Sequence, residues 1–404
     1  MLRGARNVHP NTLGSQLFER MAYMATIFKD NNFDILFTCQ LLGLPVRTDK
    51  RNYYIDCPWC SQEIDERGRA KGKDKLNINI DINAWHCNRC DRGGYAMQLY
   101  AQMKGITNSD ACREIGRAIN GDVQKFEGFQ KEVEQKKRNL PVEAEGAPKE
   151  IRYAAYSAFL DELTLNEEHR IALINRGLSL ENIEHNKYRS VPKNPATVVT
   201  ALLKKGVVLD GVPGFYPDGK GGYKLGYSGK GYYIPVRSYS GNIEAMQIRQ
   251  DNPKDGAKYI WLSSGNKEGG CSVNQSINQI HYTNFASLGK RGIKEICLTE
   301  GPLKADVAAS LLDVPFLAVV GVNNRSQLAK NLKGLKSRTG IDTVRLCFDM
   351  DRLTNEHVAK AVEKIIALVN DIGFERVYMQ KWNPEFKGID DYALSVAKTI
   401  FIEK

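Results

Sequence analysis

The sequence contains two pairs of cysteines whose spacing is typical of metal ligands. Each pair is a C-x-x-C segment, and 26 residues separate the two inner cysteines. A C-x-x-C turn brings two thiolates together, and two such turns complete a closed tetrahedral site of the kind that holds structural zinc. The sequence therefore predicts one structural Zn²⁺ bound by Cys57, Cys60, Cys87 and Cys90.

The neighbouring histidine and the remaining cysteines are interpreted differently. His86 adjoins Cys87, but four thiolates already satisfy the ion, so we do not expect His86 to be a ligand. Because paired C-x-x-C segments indicate metal rather than disulfides, we expect a reducing, cytoplasmic location. The other five cysteines stand singly in mostly apolar surroundings, which favours buried structural thiols: Cys39, Cys112, Cys271, Cys297 and Cys347.

Acidic residues follow two strand-like apolar runs in the last third of the chain, at 293–299 and 344–348. If these runs are neighbouring parallel strands, the acidic side chains that follow them meet at one edge of the sheet. Carboxylate oxygens hold Mg²⁺ or Mn²⁺, and such metals neutralise the attacking and leaving groups in nucleotidyl transfer. The pattern predicts a catalytic metal site at Glu300, Asp349 and Asp351, with Gly301 allowing a close backbone turn.

These carboxylates and the order of the strands resemble the Toprim domain, which bacterial-type primases share with type IA and type II topoisomerases and some nucleases. The resemblance implies that Glu300, Asp349 and Asp351 are the magnesium ligands and the catalytic residues. The segment 387–392, Lys-Gly-Ile-Asp-Asp-Tyr, is similar to the acidic motif that closes many primase Toprim domains, which implies that Asp390 is a further magnesium ligand.

Two other segments resemble bacterial-type (DnaG-like) primases. The cysteine pairs, followed by Gly93-Gly94, are similar to the zinc-binding domain that recognises the DNA template in that family. The segment 233–259 is similar to the strand-rich subdomain before Toprim, which implies contacts with template and nucleotide. The residues so implied are Arg237, Arg249 and Lys258. Together the similarities cover most of 35–120 and 225–395.

One position departs from the primase pattern. Lys304 stands four residues beyond Glu300, where primases of this type usually have an aspartate. Asp306 does not replace it, because two residues along a helix turn a side chain by about 200°. Two interpretations stay open: either Asp390 or Asp391 helps to hold one metal, or Lys304 contacts the triphosphate of the nucleotide. Cys60 also replaces the histidine of the family's zinc ligand set, which changes the charge of the site without preventing zinc binding.

The elements that position these residues predict a multidomain protein of the α+β and α/β classes. Residues 1–120 are predicted to form helices and a zinc ribbon, with a hairpin at 71–82 between the cysteine pairs and helices at 95–119. Prolines and a charge run predict a linker at 121–150, although the charge run could equally be an exposed helix. Residues 151–290 are predicted to form a mixed helical and antiparallel subdomain, with a hairpin of 232–237 and 243–249. Apolar runs separated by helix-length segments predict a parallel Toprim sheet at 291–404.

Composition favours a partner that is rich in phosphate. The 404 residues include 57 Lys and Arg against 47 Asp and Glu, for a net charge of +10. Basic residues cluster around the cysteine pairs with Trp59 and Trp85, which suits single-stranded DNA, although a solvated basic face with core aromatics stays open. No signal peptide or membrane-spanning run is found, so no membrane partner is expected.

The resemblance implies a DNA primase that synthesises short RNA primers on single-stranded DNA by Mg²⁺-dependent nucleotidyl transfer. Its expected partners are the template and ribonucleoside triphosphates, with a replicative helicase in trans as a further candidate. A phage or mobile element is the favoured source, because no helicase-docking domain is evident. The alternatives are a Toprim nuclease or topoisomerase-like DNA-cleaving enzyme, and a non-catalytic DNA-binding module. No Gly-Lys-Ser or Gly-Lys-Thr of a fused ATPase occurs.

Overall fold

The structure, a computed structural model, describes residues 33–64, 68, 70–253, 257–274, 276–283, 292–320, 324–353 and 356–402. The chain divides into two compact units, with the boundary between Leu140 and Pro141. The predicted helical stretch from Leu17 to Phe28 lies outside the described residues. No helix within the described ranges is both long enough and apolar enough to cross a membrane.

The first unit consists of a four-stranded antiparallel sheet flanked by helices. Its strands are hydrogen-bonded in sequence order. Alternate residues of the first three strands are buried, which is the pattern of a sheet with one face against a core. The elements are α1 (Ile35–Leu41), β1 (Asn52–Ile55), β2 (Leu76–Asn79), β3 (Ala84–Cys87), β4 (Gly93–Tyr95), α2 (Ala96–Lys104), α3 (Asn108–Gly121) and α4 (Val123–Arg138).

The hairpin between the cysteine pairs lies further along the chain than predicted. The segment 71–82 contains only β2, and its partner β3 runs into the second cysteine pair, with Leu76 opposite Cys87. Asn83 occupies the turn with a positive φ of 55°. Its side chain accepts a hydrogen bond from Ile35 N and donates one to Phe33 O. The turn therefore connects the ribbon to the start of α1, and the two helices predicted at 95–119 are confirmed as α2 and α3.

The stretch that was predicted as a linker instead contains α4. Asp122 caps this helix by accepting a hydrogen bond from Lys125 N. Phe126 and Val133 are buried, and the Phe126 ring packs edge-on against Phe37 with centroids 4.7 Å apart. The charge run thus occupies the exposed side of a helix whose apolar stripe joins the core of the first unit.

The second unit begins with helices and a four-stranded antiparallel sheet of order β10-β9-β8-β5. The predicted hairpin is confirmed, because β8 pairs with β9 across the turn at 238–242. Ser179 caps the helix Leu180–His185 by accepting a hydrogen bond from Asn182 N, and it follows Gly177 at φ 105°. The elements are α5 (Lys149–Asp161), α6 (Glu167–Asn175), α7 (Leu180–His185), β5 (Arg189–Ser190), α8 (Pro195–Lys204), β6 (Phe215–Pro217), β7 (Tyr223–Leu225), β8 (Gly231–Arg237), β9 (Ile243–Gln250) and β10 (Tyr259–Trp261).

A five-stranded sheet of order β11-β13-β12-β14-β15 completes the second unit. β12, β13, β14 and β15 are parallel, as predicted for this sheet; the apolar residues of β12, β13 and β14 are buried, whereas those of the edge strand β15 are half-buried. The edge strand β11 is antiparallel and was not predicted. The elements are β11 (Ile280–Tyr282), β12 (Glu295–Glu300), α9 (Pro302–Leu312), β13 (Phe316–Val319), α10 (Arg325–Thr339), β14 (Thr343–Leu346), a 3₁₀ turn (Met350–Leu353), α11 (Glu356–Asp371), β15 (Arg376–Met379) and α12 (Ile389–Ile402).

Candidate metal centres and nucleotide cleft

The four predicted zinc ligands converge in the first unit. The Sγ atoms of Cys57, Cys60, Cys87 and Cys90 all lie within 4.8 Å of one another. The Cys57–Cys90 and Cys60–Cys87 Sγ distances are both 3.9 Å. Zn–S bonds of about 2.3 Å place tetrahedral sulfurs about 3.8 Å apart, so the cluster fits a structural zinc ion.

Groups around the cysteine cluster support its use as a closed metal site. The backbone N–H groups of Arg89 and Cys90 both lie 3.4 Å from Cys87 Sγ as donors. Burial raises the pKa of the Cys60 thiol to about 12, so zinc must displace a firmly held proton. His86 Nε2 lies 2.9 Å from Asp91 Oδ1, and His86 is outside the cluster that the four cysteines form.

One of the two tryptophans beside the cluster is not available for stacking on DNA bases. Trp85 is buried, and its indole N–H donates to Tyr95 O at 3.0 Å. Trp59 stacks on Trp85 with ring centroids 5.4 Å apart and is half-buried, with the Arg92 guanidinium 5.0 Å from its ring centroid. Of the predicted aromatic platform, only Trp59 is therefore partly accessible.

The predicted carboxylates occupy adjacent strand ends in the second unit. Glu300 is the last residue of β12, and Asp349 and Asp351 follow the neighbouring parallel strand β14. Gly301 has φ 83° and ψ 125°, a conformation that is costly for any residue with a Cβ. The strand ends and this turn bring the three carboxylates to one edge of the sheet. We call these three residues, together with Asp390, the acid edge.

Burial and neighbouring charges within the acid edge shift the pKa of Glu300. Burial is the main cause that raises the pKa of Glu300, and the charges of Asp349 and Asp351 raise it further. The Lys304 and Lys387 ammonium groups act in the opposite sense. Glu300 therefore interacts with both aspartates of the D-x-D segment, as a shared metal site requires.

Lysine side chains neutralise part of the acid edge. Lys304 Nζ forms an ion pair with Asp349 Oδ1, and its side chain is 27% exposed. Lys387 Nζ lies 3.3 Å from Asp351 Oδ2. Lys304 therefore reaches from the first turn of α9 to these carboxylates. Its ammonium lies in the site where the resemblance would place an aspartate.

Asp390 joins the acid edge from the first turn of α12. Its side chain is 6% exposed, and its Oδ2 accepts a hydrogen bond from Arg176 Nη1 at 3.2 Å. Its Oδ1 is buried with no hydrogen-bond partner among the described residues. A Cβ on Gly388 would lie 2.4 Å from Asp390 Oδ1 and 3.4 Å from Asp349 Oδ1, so only glycine fits between these carboxylates. The unpartnered Oδ1 is a ready acceptor for a cation.

The acid edge fits a magnesium ion by its donor chemistry rather than by a closed cage. Within the described residues, only the cysteine cluster brings three or more candidate ligand atoms within 4.8 Å of one another. Hard carboxylate oxygens that are spaced more widely suit Mg²⁺, which keeps several waters and shares its positions with substrate phosphates. Glu300, Asp349 and Asp351 would hold such an ion, with Asp390 Oδ1 as a further donor.

Arg237, predicted to contact substrate, is placed instead in a buried network. Its Nη2 donates a hydrogen bond to Asp306 Oδ1 at 2.6 Å. Asp306 also accepts a hydrogen bond from Tyr188 OH at 2.6 Å, and its Oδ1 lies 3.0 Å from His281 Nε2. Burial opposes ionisation, but the Arg237 guanidinium and His281 keep the pKa of Asp306 below its usual value. Arg237 Nη2 is engaged by Asp306 and its Nη1 lies 3.4 Å from Asn186 O, so these two donors are used within the protein, and the substrate role stays a prediction. Asp306 faces this network and does not substitute for the missing aspartate.

Arg249 lines a cleft of about 410 Å³ in the second unit. The cleft is also lined by Arg176, Lys230, Tyr232 and Asp251. Arg176 connects the cleft to the acid edge through Asp390, although no local sequence pattern marks it, since 214 residues separate the pair. Lys230, which the sequence analysis also missed, stands in the turn that leads into β8.

Lys258 is exposed and does not line the cleft described above. Its backbone carbonyl accepts a hydrogen bond from Gln250 N at 2.9 Å, which continues the pairing of β9 with β10. The sequence-predicted trio of basic residues therefore occupies three environments: Arg237 in the interior, Arg249 at the cleft and Lys258 at the surface.

Comparisons with known proteins give matches in one family and among solved structures. Residues 290–399 match a family described as a domain of unknown function, DUF3854. No curated protein matches the chain. The Aquifex aeolicus primase, comprising zinc-binding and RNA polymerase domains, aligns at 17% identity and TM-score 0.47, covering 92% of this chain and 82% of that one.

Two further solved structures align over a smaller share of the chain. The RNA polymerase domain of Mycobacterium tuberculosis primase DnaG aligns at 15% identity and TM-score 0.47, covering 64% of this chain and 83% of that one. A DNA primase domain from Pseudomonas aeruginosa aligns at 18% identity and TM-score 0.44, covering 62% and 77%. At these identities and TM-scores, the function has to be argued from the residues of the site.

Proposed function

We propose that this protein is a primase-type nucleotidyltransferase, which synthesises short RNA primers on single-stranded DNA. The observation that carries the proposal is the meeting of Glu300, Asp349 and Asp351 at adjacent parallel strand ends. Arg176 links this acid edge to a cleft lined by further cations. Carboxylates beside a basic cleft suit metal-dependent chemistry on a nucleoside triphosphate.

Each part of the acid edge then has a role in the reaction. Bound magnesium would neutralise charge on the attacking 3′-hydroxyl and the leaving pyrophosphate. Glu300, Asp349 and Asp351 orient the ion, while Arg176 and Arg249 bind the triphosphate electrostatically from the cleft. Because its pKa is raised, Glu300 is also suited to accept the hydroxyl proton when it is not a ligand.

Lys304 acts in this proposal as a fixed cation. Four carboxylates, Glu300, Asp349, Asp351 and Asp390, are accompanied by three cationic side chains, Lys304, Lys387 and Arg176. The Lys304 ammonium donates to Asp349 Oδ1. It would therefore occupy an oxygen that a second divalent ion would need as a ligand. We therefore expect one divalent ion at the acid edge, with Lys304 offsetting the charge that a second ion would neutralise.

In the same proposal the first unit binds the single-stranded DNA template. The zinc-ordered ribbon presents Arg92 above the partly accessible Trp59 ring, a combination that suits stacking and phosphate contact. A replicative helicase acting in trans remains a candidate partner on the strength of the sequence resemblance alone.

The test is primer synthesis by zinc-loaded protein on single-stranded DNA with labelled ribonucleotides and Mg²⁺. We expect oligoribonucleotide products from the wild type and at least a hundredfold loss with Asp349→Ala, an order of magnitude typical for removing a group that organises transition-state charge. Asp371→Ala, an exposed aspartate at the end of α11, is the matched control and should keep activity. Nicking of DNA in place of synthesis would favour the nuclease alternative, and template binding without either product would favour the non-catalytic one.

A further inference from the structure

A polar groove on the second unit shares no residue with the acid edge or with the cleft. It encloses about 560 Å³ between α5, the β8–β9 turn, the segment leading into β11, and α10. The residues that matter for its chemistry are Ser238, Tyr239, Tyr282, Lys330, Asn331 and Arg338. None of these was singled out by the sequence motifs.

The helix that forms one wall of the groove is unusually basic. α10 is 15 residues long and contains five basic residues and no acidic one. Leu328, Leu332 and Leu335 are buried against the sheet, which fixes the rotation of the helix. This rotation leaves Lys330, Lys333 and Arg338 exposed.

The exposed cations of α10 lack the anionic partners that other cations of the unit have. In the part of the chain that the structure describes, no ion pair to a carboxylate is formed by Lys330, Lys333 or Arg338. By contrast, Arg152 on the opposite wall lies 3.7 Å from Glu244 and also donates to Glu244 O. The positive charge along α10 is therefore available to an external anion.

The floor of the groove is rigid and polar. Asn331 Nδ2 donates to Asn278 Oδ1 at 3.1 Å, and Tyr282 OH donates to Asn331 Oδ1 at 2.8 Å. The Tyr239 and Tyr282 rings pack edge to face with centroids 6.0 Å apart, and the Arg338 guanidinium lies 5.7 Å from the Tyr239 centroid. Interlocked side chains of this kind hold a binding surface in place before a ligand arrives.

We propose that this groove binds the phosphate backbone of single-stranded nucleic acid. Lys330 and Arg338 are eight residues apart on one helix, about 12 Å along its axis, so they can contact different phosphates of one strand. A row of cations without carboxylate partners, beside the half-buried Tyr239 ring, suits a strand with accessible bases, whereas a single small anion would need only one of these cations. The choice of nucleic acid as the partner rests on the proposed function. The groove would add a contact surface outside the acid edge and the cleft.

The test measures the binding of a fluorescently labelled, single-stranded DNA oligonucleotide by anisotropy over a series of salt concentrations. The test variant is the triple substitution Lys330→Ser, Lys333→Ser and Arg338→Ser. Each lost phosphate contact on a single strand lowers the slope of log affinity against log salt by about 0.7, so we expect the slope to fall by about 2. The matched control replaces three exposed lysines elsewhere, in the triple variant Lys193→Ser, Lys204→Ser and Lys220→Ser, and should keep the slope.

Further arms separate this proposal from the proposed function. A charge-preserving variant, Lys330→Arg, Lys333→Arg and Arg338→Lys, should retain the wild-type slope, and all variants should keep the wild-type melting temperature because the side chains are exposed. The serine variant should also keep Mn²⁺ binding at the acid edge. An unchanged salt slope, or a loss confined to free nucleoside triphosphate or to blunt duplex DNA, would overturn the groove proposal. The primer assay with Asp349→Ala remains a separate test of catalysis.

Discussion

The cysteine cluster of the first unit and the acid edge of the second both suit cations but are built in opposite ways. The cluster brings four thiols within 4.8 Å, and backbone N–H groups are the donors to Cys87. At the acid edge, carboxylates alternate with the side chains of Lys304, Lys387 and Arg176. The cysteine cluster thus fits a metal that would be enclosed by the fold, whereas the acid edge is already partly neutralised by cations of the protein itself.

The largest effect is expected at the cysteine cluster. Cys60→Ser should reduce zinc from one equivalent to well below one and abolish cooperative unfolding of the first unit, because structural zinc supplies about 10–16 kcal/mol in small zinc-binding folds. Metal analysis and hydrogen exchange of the first unit measure this. Cys112→Ser, a thiol outside the cluster, is the control and should keep zinc. Full zinc content in Cys60→Ser would contradict the assignment.

The next effect concerns the buried ion pair of Arg237 with Asp306, which forms without a metal. Arg237→Ala leaves Asp306 charged and buried, and breaking a buried pair in this way costs about 3–5 kcal/mol. Chemical denaturation of the second unit should show this loss. If Arg237→Ala instead keeps stability and weakens only nucleotide binding, the substrate role predicted from the sequence is restored. The double variant Arg237→Met with Asp306→Asn should recover part of the loss, since no buried charge is left alone.

These two regions also differ in how far the sequence could predict them. The zinc ligands follow from two local spacings, and the strand ends carrying Glu300 and Asp349 follow from apolar runs. The partner of Asp390 could not be predicted, because Arg176 lies 214 residues away and only the tertiary fold brings them together. The placement of Arg237 also depends on the fold, since a motif gives the residue type but not the buried aspartate beside it.

The third prediction tests whether Lys304 replaces a divalent ion. We expect the wild type to bind one Mn²⁺ at the acid edge and Lys304→Asp to bind two, because the substitution removes an ammonium from Asp349 and adds a carboxylate. Electron paramagnetic resonance titration gives the stoichiometry independently of activity. Lys204→Asp makes the same charge change at an exposed site and should still bind one ion. Two ions in the wild type would refute the replacement.

A smaller effect is expected from the titration of Glu300. Burial raises its pKa in the folded protein, so the charged carboxylate destabilises the metal-free fold above that pKa, and the penalty shrinks as the pH falls below it toward the ordinary carboxyl value. Glu300→Gln should therefore raise the melting temperature of metal-free protein at pH 7 while weakening Mn²⁺ binding. Glu375→Gln, at an exposed position, is the control. Lower stability of Glu300→Gln at pH 7 would contradict the assigned sign.

Two structural elements escaped the sequence analysis for physical reasons. α4 was predicted as a linker because its charges outnumber its apolar residues, although Phe126, Phe129 and Val133 recur at helical spacing and pack on the first core. β11 has only three residues, too few for alternation to be recognised, and it forms through pairing with β13. In both cases tertiary packing decides the structure more than local composition does.

The most direct test of the central claim is formation of the first phosphodiester bond at the acid edge. Zinc-loaded protein would be incubated with single-stranded DNA, Mg²⁺ and ribonucleoside triphosphates labelled at the α-phosphate. We expect a labelled dinucleotide and pyrophosphate from the wild type, neither from Asp349→Ala, and both from Asp371→Ala. Cleaved template in place of the dinucleotide, or no dinucleotide from zinc-loaded wild-type protein, would contradict the account.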